Sequence, residues 1–210
     1  TGIAGEAMLR AETPQEQFQL IGAGRRNILI NGGFTVSQRG DYTSATSISG
    51  NSYSLDRCNT DISGVTATIQ NNTVDLPNGT EAKTAKLAAT SSATGYLQLR
   101  QKIEVESWMQ KREVTLSAWV KSNSSYPRLR IEGAAVGSNK DGTQTHSGSG
   151  EWEFLTFTTT LGDGFSSFNA GVIFWNGSSV SISSGDYFEI ANIQLELGKV
   201  ATPFEHRSYG

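Results

Sequence analysis

The chain is poor in the residues that build disulfides and metal centres. It has one cysteine, Cys58, so no disulfide can form within the chain. Its two histidines, His146 and His206, do not follow zinc-ligand spacing. No apolar run approaches the roughly 18 residues that a membrane-spanning helix needs, so we expect no membrane insertion. The formal net charge of −3 leaves no basic excess, which argues against nucleic-acid binding.

Signatures of nucleophilic catalysis are missing as well. No G-x-S-x-G motif occurs, and His146 lies in the Gly/Ser-rich stretch DGTQTHSGSG, where we expect a solvated loop residue rather than a general base. A carboxylate pair for glycoside hydrolysis is assembled only in space, so the sequence leaves Glu104, Glu106, Glu189 and Glu196 open as candidates. We predict that the chain is not an enzyme.

Glycine, by contrast, is abundant at 23 residues, and Ser, Thr and Asn are frequent. Clusters of these residues separate short segments whose apolar residues alternate, which is typical of β-strands. The predicted strands are 27–34, 65–70, 86–89, 96–103, 114–121, 128–132, 152–161, 170–175 and 187–197. Many short strands without a long helical repeat predict an all-β sandwich of two antiparallel sheets. Two polar segments, 41–52 and 137–150, are predicted to be mobile loops.

The alternation within the predicted strands also indicates which side chains face outward. Six aromatic or cationic side chains fall on outer faces: Tyr96, Arg100, Trp119, Lys121, Arg128 and Arg130. Trp175 is added to them, because either it or the adjacent Phe174 must face away from the core and a ring at a strand end could form the rim of a pocket. If their strands are neighbours in one sheet, they form a patch with flat rings for stacking on a sugar and guanidinium forks for its hydroxyls. We therefore predict these seven residues as ligand-binding. The alternative is that Trp119 lies under a loop or against another subunit.

Four sequence segments together carry a resemblance to a known family. They are NILINGGFTVSQRG at 27–40, SLDR at 54–57, LSAWVK at 116–121, and the closing IQLELG and ATPFE at 193–205. Over about residues 27–207 the chain resembles the carbohydrate-binding-module-like jelly-roll domain of phage tail-fibre and receptor-binding proteins. It departs from that family at Cys58, where the family often has Trp.

The resemblance implies a jelly roll over residues 27–210 and a place in the virion at the tail-fibre tip, outside the host cell. It further implies a homotrimer that binds host surface polysaccharide or lipopolysaccharide and connects to upstream fibre or virion proteins. The alternative function is a structural, trimerisation or decoration domain that binds no sugar. A depolymerase fragment ranks last, because the chain lacks the long repeat of a β-helix.

Residues 1–26 differ in pattern from the rest. The sequence TPQE at 13–16 has the layout of a capping box, and it predicts a helix of about two turns that ends near Gly22 and carries Phe18 and Leu20. A helix this short needs a surface to lie on. We expect a connector that supports trimerisation or leads to an upstream fibre segment. Since the chain starts at Thr1 without a signal peptide, we expect it to be a piece of a longer polypeptide.

The resemblance also raises the question of a structural calcium ion between the first and last strands. Such a site needs several carboxylates and carbonyl oxygens. No acidic residue stands next to Phe34, which leaves only Asp41 and Asp186 as weak candidates. We therefore predict neither a metal nor a cofactor.

Overall fold

The computed structural model describes residues 26–206, and it shows an all-β chain in two antiparallel sheets. The helix predicted for the connector lies outside the described residues. Fourteen strands are present between residues 26 and 206: β1 (Thr46–Ile48), β2 (Ser52–Tyr53), β3 (Cys58–Ser63), β4 (Ala67–Gln70), β5 (Thr73–Asp75), β6 (Glu81–Ala89), β7 (Ala93–Glu104), β8 (Glu113–Ser122), β9 (Pro127–Gly133), β10 (Ser138–Thr145), β11 (Trp152–Thr160), β12 (Ser167–Phe174), β13 (Val180–Ile182) and β14 (Tyr187–Leu197). Single 3-10 turns at Ser107–Met109 and Ala134–Val136 join some of them.

Each sheet has seven strands. Sheet I has the order β1-β4-β6-β14-β8-β11, with β5 paired to β6. Sheet II has the order β10-β9-β12-β7-β3-β2, with β13 paired to β7. This confirms the predicted jelly-roll β-sandwich. We call the outer surfaces of the two sheets face I and face II.

The core between the sheets follows the predicted alternation. On β8 the inward residues Val114, Leu116 and Val120 are fully buried. On β7 and β9 the inward Leu97 and Ile131 are equally buried. Burying each such aliphatic side chain contributes roughly 1.5–3 kcal/mol, so the paired inner faces supply most of the stability.

Two predicted loops contain strands instead. Segment 41–52 includes β1, and most of segment 137–150 is β10, an edge strand paired with β9. The prediction of mobile loops is wrong there, because backbone pairing forms these strands without an apolar face. Seven of the eight residues of β10 have polar or charged side chains that are exposed or half-buried at the sheet edge, which is how edge strands avoid further pairing.

The first predicted strand, 27–34, is also not a regular strand. Two backbone bonds join it to β14, from Ile28 N to Leu195 O at 2.8 Å and from Ile193 N to Gly32 O at 3.0 Å. The chain then turns through Asn31, which has φ 59°. Gly32 is required at this turn, because a Cβ there would lie 2.1 Å from Ile193 O. The GG pair of the opening motif therefore lets the backbone approach the last strand.

A buried amide, that of Asn27, joins the opening segment to the closing one. Its Nδ2 donates to Ile193 O and to Glu205 O, both at 3.3 Å. Its Oδ1 accepts from the backbone N of Leu29 at 3.1 Å and of Leu195 at 3.2 Å. Asn27 is 0 % exposed, so all four bonds are shielded from water.

The closing motif is held by its own side chains. The Glu196 carboxylate accepts from the backbone N of Thr202 at 2.8 Å and from its hydroxyl at 2.7 Å. Gln194 donates to Glu196 Oε1 at 2.8 Å and accepts from Glu205 N at 2.8 Å. The side chains of Gln194 and Glu196 thus hold the ATPFE segment against β14. This arrangement places Glu205 beside Asn27.

Replacing Asn27 with Ala should lower the free energy of unfolding by about 2–4 kcal/mol, because buried backbone donors and acceptors lose their partners. Urea denaturation followed by tryptophan fluorescence measures this loss. Asn78→Ala is the matched control, since the Asn78 side chain bonds only within an exposed turn. Equal, small losses for both variants would contradict the role given to Asn27.

Cys58 lies in the core at the start of β3, with 5 % of its surface exposed. Burial raises the pKa of its thiol to about 12, and the charge of Asp56 adds to the rise. The reactive thiolate therefore forms only at strongly alkaline pH.

We expect native protein not to react with Ellman's reagent at pH 8, whereas the urea-unfolded chain reacts with one thiol per chain. Absorbance of the released dye follows the reaction. Rapid reaction of the folded protein would show that the thiol is accessible, contrary to its place in the core.

Candidate functional site

The structure separates the seven predicted ligand-binding residues into two groups. Tyr96 and Arg100 of β7, Arg128 and Arg130 of β9, and Trp175 directly after β12 lie on face II. The strand between β7 and β9 is β12, so these side chains share one surface.

Trp119 and Lys121 of β8 lie on face I, on the other side of the sandwich. The prediction of one common patch is therefore wrong, because the chain crosses from sheet II to sheet I between β7 and β8. Alternation tells which side of a strand meets the core, but not which sheet the strand joins. Ligand binding by either group stays a prediction.

Arg100 is the centre of a charged network on face II. Its Nη1 lies 2.9 Å from Asp61 Oδ2 and forms a short ion pair with Glu132. Its Nε donates to Asn59 Oδ1 at 3.3 Å. Because β3 supplies Asn59 and Asp61 and β9 supplies Glu132, the network holds the guanidinium of Arg100 from both sides of β7.

Neutral amides extend this network along the sheet. Gln98 donates to Glu132 Oε2 at 3.1 Å, and Asn169 of β12 donates to Glu132 Oε1 at 3.3 Å. Glu132 is 7 % exposed and Gln98 2 % exposed, although both lie on an outer face. Polar groups this well shielded and this fully bonded are held in fixed positions.

A second network joins β9 to the edge strand β10. Arg130 donates from Nε to Asp141 Oδ1 at 2.6 Å and from Nη2 to Asp141 Oδ2 at 3.0 Å, a bidentate pair. The Trp175 ring centroid lies 4.6 Å from the Arg130 guanidinium carbon, in cation–π geometry. Tyr96 meets Trp175 edge-to-face at 6.1 Å, and its hydroxyl donates to Asp61 Oδ1 at 3.2 Å. Two aromatic rings are thereby fixed beside the charged groups.

An open groove of about 770 Å³ runs over face II next to Arg100. Asn59, Lys102 and Tyr53 line it, and 51 % of the Tyr53 surface is exposed. Gly171 of β12 lies opposite Arg100, and a Cβ there would come within 2.0 Å of Leu99 O. Glycine at this position therefore allows the backbone of β12 to approach that of β7 closely.

Several of the face II residues were missed by sequence reasoning. Asn59 and Asp61 belong to β3, whose sequence CNTDIS lacks the apolar alternation of a strand. Glu132 lies two residues after Arg130 on β9. The alternation that predicts outward side chains for Arg128 and Arg130 therefore also predicts one for Glu132. The long-range pairing that brings β3 beside β7 leaves no local signal.

On face I, Trp119 packs against Phe154 of β11, with ring centroids 5.3 Å apart. Its other neighbours are the small cluster around Leu76 and Ala82, which the β5–β6 hairpin brings over the sheet. Trp119 is half-buried, whereas 39 % of the Phe154 surface is exposed. The β5–β6 hairpin thus covers part of the Trp119 ring, which agrees in part with the alternative that Trp119 lies under a loop.

A second groove, of about 720 Å³, lies over these rings and is bounded by Pro203 and Phe204 of the closing segment. Lys121 stands beyond it, opposite Trp152 on β11 and Glu189 on β14. Face I thus offers apolar surface where face II offers fixed charges.

His146 is not the solvated loop residue that the sequence predicts, because it is 0 % exposed. Its Nδ1 accepts from Gly148 N at 2.9 Å, so Nε2 carries the hydrogen and donates to Glu151 O at 2.9 Å. Both ring nitrogens are used to hold the loop between β10 and β11. The ring has a structural role and does not face either groove.

The carboxylates left open as catalytic candidates include two buried ones. Glu189 accepts from Asn72 Nδ2 at 2.8 Å and from Thr84 Oγ1 at 2.5 Å, and Glu196 is bonded to Thr202 as described above. Both groups hold strands and loops of sheet I together. Neither lines the groove on face II.

Between residues 26 and 206, no group of three or more His, Cys, Asp and Glu side chains is placed to hold a metal ion. Asp41 accepts from Thr43 N at 3.0 Å, and Asp186 accepts from Ser183 N at 2.8 Å, so each closes a local turn. Within the same part of the chain, no helix is long and apolar enough to cross a membrane.

The two sheets, their antiparallel order and the joined ends define a jelly-roll β-sandwich. A similar structure is the enzymatically active domain of tailspike protein 4 from bacteriophage CBA120, with a TM-score of 0.53 and 17 % identity. The match covers 81 % of this chain and 21 % of the tailspike chain, so this chain spans about a fifth of it. At this identity the likeness shows the fold alone.

Two carbohydrate-binding modules are also similar. One is a family 61 module in complex with β-1,4-galactotriose, with a TM-score of 0.47, 14 % identity and coverage of 83 % of this chain and 100 % of the module. The other is the family 22 xylan-binding domain from Paenibacillus barcinonensis, with a TM-score of 0.45, 12 % identity and coverage of 77 % and 99 %. No protein-family model and no curated protein sequence matches the chain.

Replacing Arg100 with Met should lower the free energy of unfolding by about 3 kcal/mol, because the shielded charges of Asp61 and Glu132 would lose their cationic partner. Chemical denaturation measures the loss. Adding Glu132→Gln to Arg100→Met should restore part of it, since one of the two uncompensated charges is removed.

Lys111→Met serves as the control, because the Lys111–Asp163 ion pair is exposed and such pairs contribute at most about 1 kcal/mol. If Arg100→Met were no more destabilising than Lys111→Met, the network on face II would not be the fixed unit described above.

Proposed function

We propose that this chain is a glycan-binding module of a phage tail fibre that recognises host surface polysaccharide through face II. The observation that supports this most directly is the open groove on face II, bordered by charged and amide groups in fixed positions. Two fixed aromatic rings, Tyr96 and Trp175, lie on the same face.

The chemistry of this face fits a sugar. An aromatic ring stacks on the apolar C–H face of a pyranose, and planar amides and guanidinium groups bond to its hydroxyls. Between Tyr96 and Lys102, β7 extends over six residues, or about 20 Å, which is room for several sugar units. Because the side chains are already held by one another, little conformational entropy is lost when a glycan binds.

The role in a virion rests on the motif resemblance, and the fold shared with a phage tailspike domain is in keeping with it. We place the module at the fibre tip, outside the host cell, as a homotrimer joined to upstream virion proteins. Weak single sites are sufficient in such an assembly, because several linked copies raise the effective concentration. In this proposal the module binds its glycan without cleaving it, and the carboxylates of Asp61 and Glu132 serve as partners of Arg100.

The groove on face I favours a second, structural function. The exposed ring of Phe154 and the partly covered Trp119 form an apolar floor of the kind found in subunit interfaces. The chain also enters the described structure at this side, since Arg26 N donates to Glu205 Oε2 at 2.6 Å next to Phe204. In this alternative, face I binds a second copy of the chain, and no sugar is bound.

Trp175→Ala should reduce binding to host polysaccharide by about 5- to 30-fold, because a stacking surface that contributes roughly 1–2 kcal/mol is lost. Trp119→Ala is the matched control on the opposite face and should leave binding unchanged. Binding is measured on a glycan array and on host cells with and without surface polysaccharide, with sedimentation analysis of each variant.

Loss of sugar binding in Trp119→Ala alone, with the oligomer intact, would move the site to face I. Loss of the oligomer in Trp119→Ala, together with no glycan binding by the wild type, would favour the structural function. New reducing ends after incubation with host polysaccharide would show that the module is an enzyme.

A further inference from the structure

Strands β7 and β9 present three guanidinium groups on face II, and within residues 26–206 two of these have a carboxylate partner. Arg100 binds Asp61 and Glu132, and Arg130 binds Asp141 through both oxygens. Every carboxylate in these two networks is therefore already engaged by a cation.

The third guanidinium belongs to Arg128 and has no such partner. It forms neither a hydrogen bond nor an ion pair within residues 26–206, and its Nε is buried without an acceptor. A shielded donor without an acceptor is costly, and native proteins seldom leave one without a reason. Water or a ligand can supply the acceptor that residues 26–206 do not.

The position of Arg128 is fixed by packing. On β9 it lies opposite Ile173 of β12 and Thr145 of β10. Ile173 is 1 % exposed but does not belong to the core, so side chains of face II cover it. The aliphatic stem of Arg128 contributes to this cover while its charged end stays at the surface.

The charges around Arg128 do not fully compensate its guanidinium. Burial lowers the pKa of the Arg128 guanidinium below its ordinary value. The attraction of Asp141 offsets this only in part, since Asp141 is shared with Arg130, whose own charge adds to the lowering. The charged form of Arg128 is therefore incompletely compensated.

We propose that Arg128 binds the carboxylate of an acidic sugar, so that the glycan recognised by face II contains a uronic acid. This inference rests on the proposed function. The planar fork of a guanidinium matches a carboxylate with two parallel bonds. Trp175 lies over Arg130, two residues along β9, where its ring can stack on the sugar that carries the carboxylate.

The direct test is an NMR titration that observes the side-chain Nε–H groups of the arginines, with the Arg128 signal assigned from Arg128→Gln. Sodium glucuronate should shift the Arg128 signal and leave those of Arg100 and Arg130 nearly unchanged. Glucose should cause no such shift, and sodium acetate a much smaller one. An equal response to acetate or to inorganic phosphate would show an unspecific anion site and overturn the proposal, as would no response to glucuronate.

The second test is affinity for uronate-containing glycans on an array. Arg128→Gln should weaken this binding about tenfold or more, whereas the same change at the exposed Arg112 should not. Reducing the sugar carboxylates to alcohols should weaken wild-type binding equally. Tight binding of neutral glycans alone, unchanged in Arg128→Gln, would overturn the inference and leave the proposed function standing. Absence of binding to any glycan would overturn the proposed function itself.

Discussion

The buried amide of Asn27 ties the first described segment of the chain to the last one, and the sandwich depends on that closure. The segment around Asn27 lacks a regular strand ladder, so side chains replace the backbone bonds that a strand would make. Asn27 binds the end of β14, and Gln101 of β7 accepts from Ile30 N at 2.8 Å and donates to Ile30 O at 2.6 Å. One segment thereby contacts both sheets, and Gly32 permits the close approach.

Closure has a consequence for function, because it leaves the two outer faces with different chemistry. The closing segment and the β5–β6 hairpin lie over face I, where they border an apolar groove. On face II no segment between residues 26 and 206 covers the central strands in this way, and the polar side chains shield one another instead. Fixed donors and acceptors on an open surface suit a polar ligand, whereas a partly covered aromatic floor suits a protein partner.

The fold could be predicted well from local pattern, and the site only in part. Alternation placed Leu97 and Val114 in the core and Arg100 and Trp119 outside, because the strand period is a local property. It could not show that β7 and β8 belong to different sheets, since sheet membership is decided by long-range pairing. For the same reason β3 was missed, and with it Asp61, the partner of Arg100 and Tyr96.

Polar residues produced the other differences between expectation and structure. His146 and Asn27 are hydrophilic by type, yet both are fully buried because every polar atom of the side chain finds a partner. Hydrogen-bond satisfaction depends on residues distant in sequence. The opening motif is informative for this reason, since its Asn and Gly residues have roles that only the last strand completes.

The most direct measurement is an NMR titration of the four tryptophan indole N–H signals with a glycan that the protein binds. Trp175 reports on face II, and Trp119 and Trp152 report on face I. A shift of the Trp175 signal, with those of Trp119 and Trp152 unchanged, is the predicted result. Shifts of Trp119 and Trp152 with an unchanged Trp175 would contradict the assignment of glycan binding to face II.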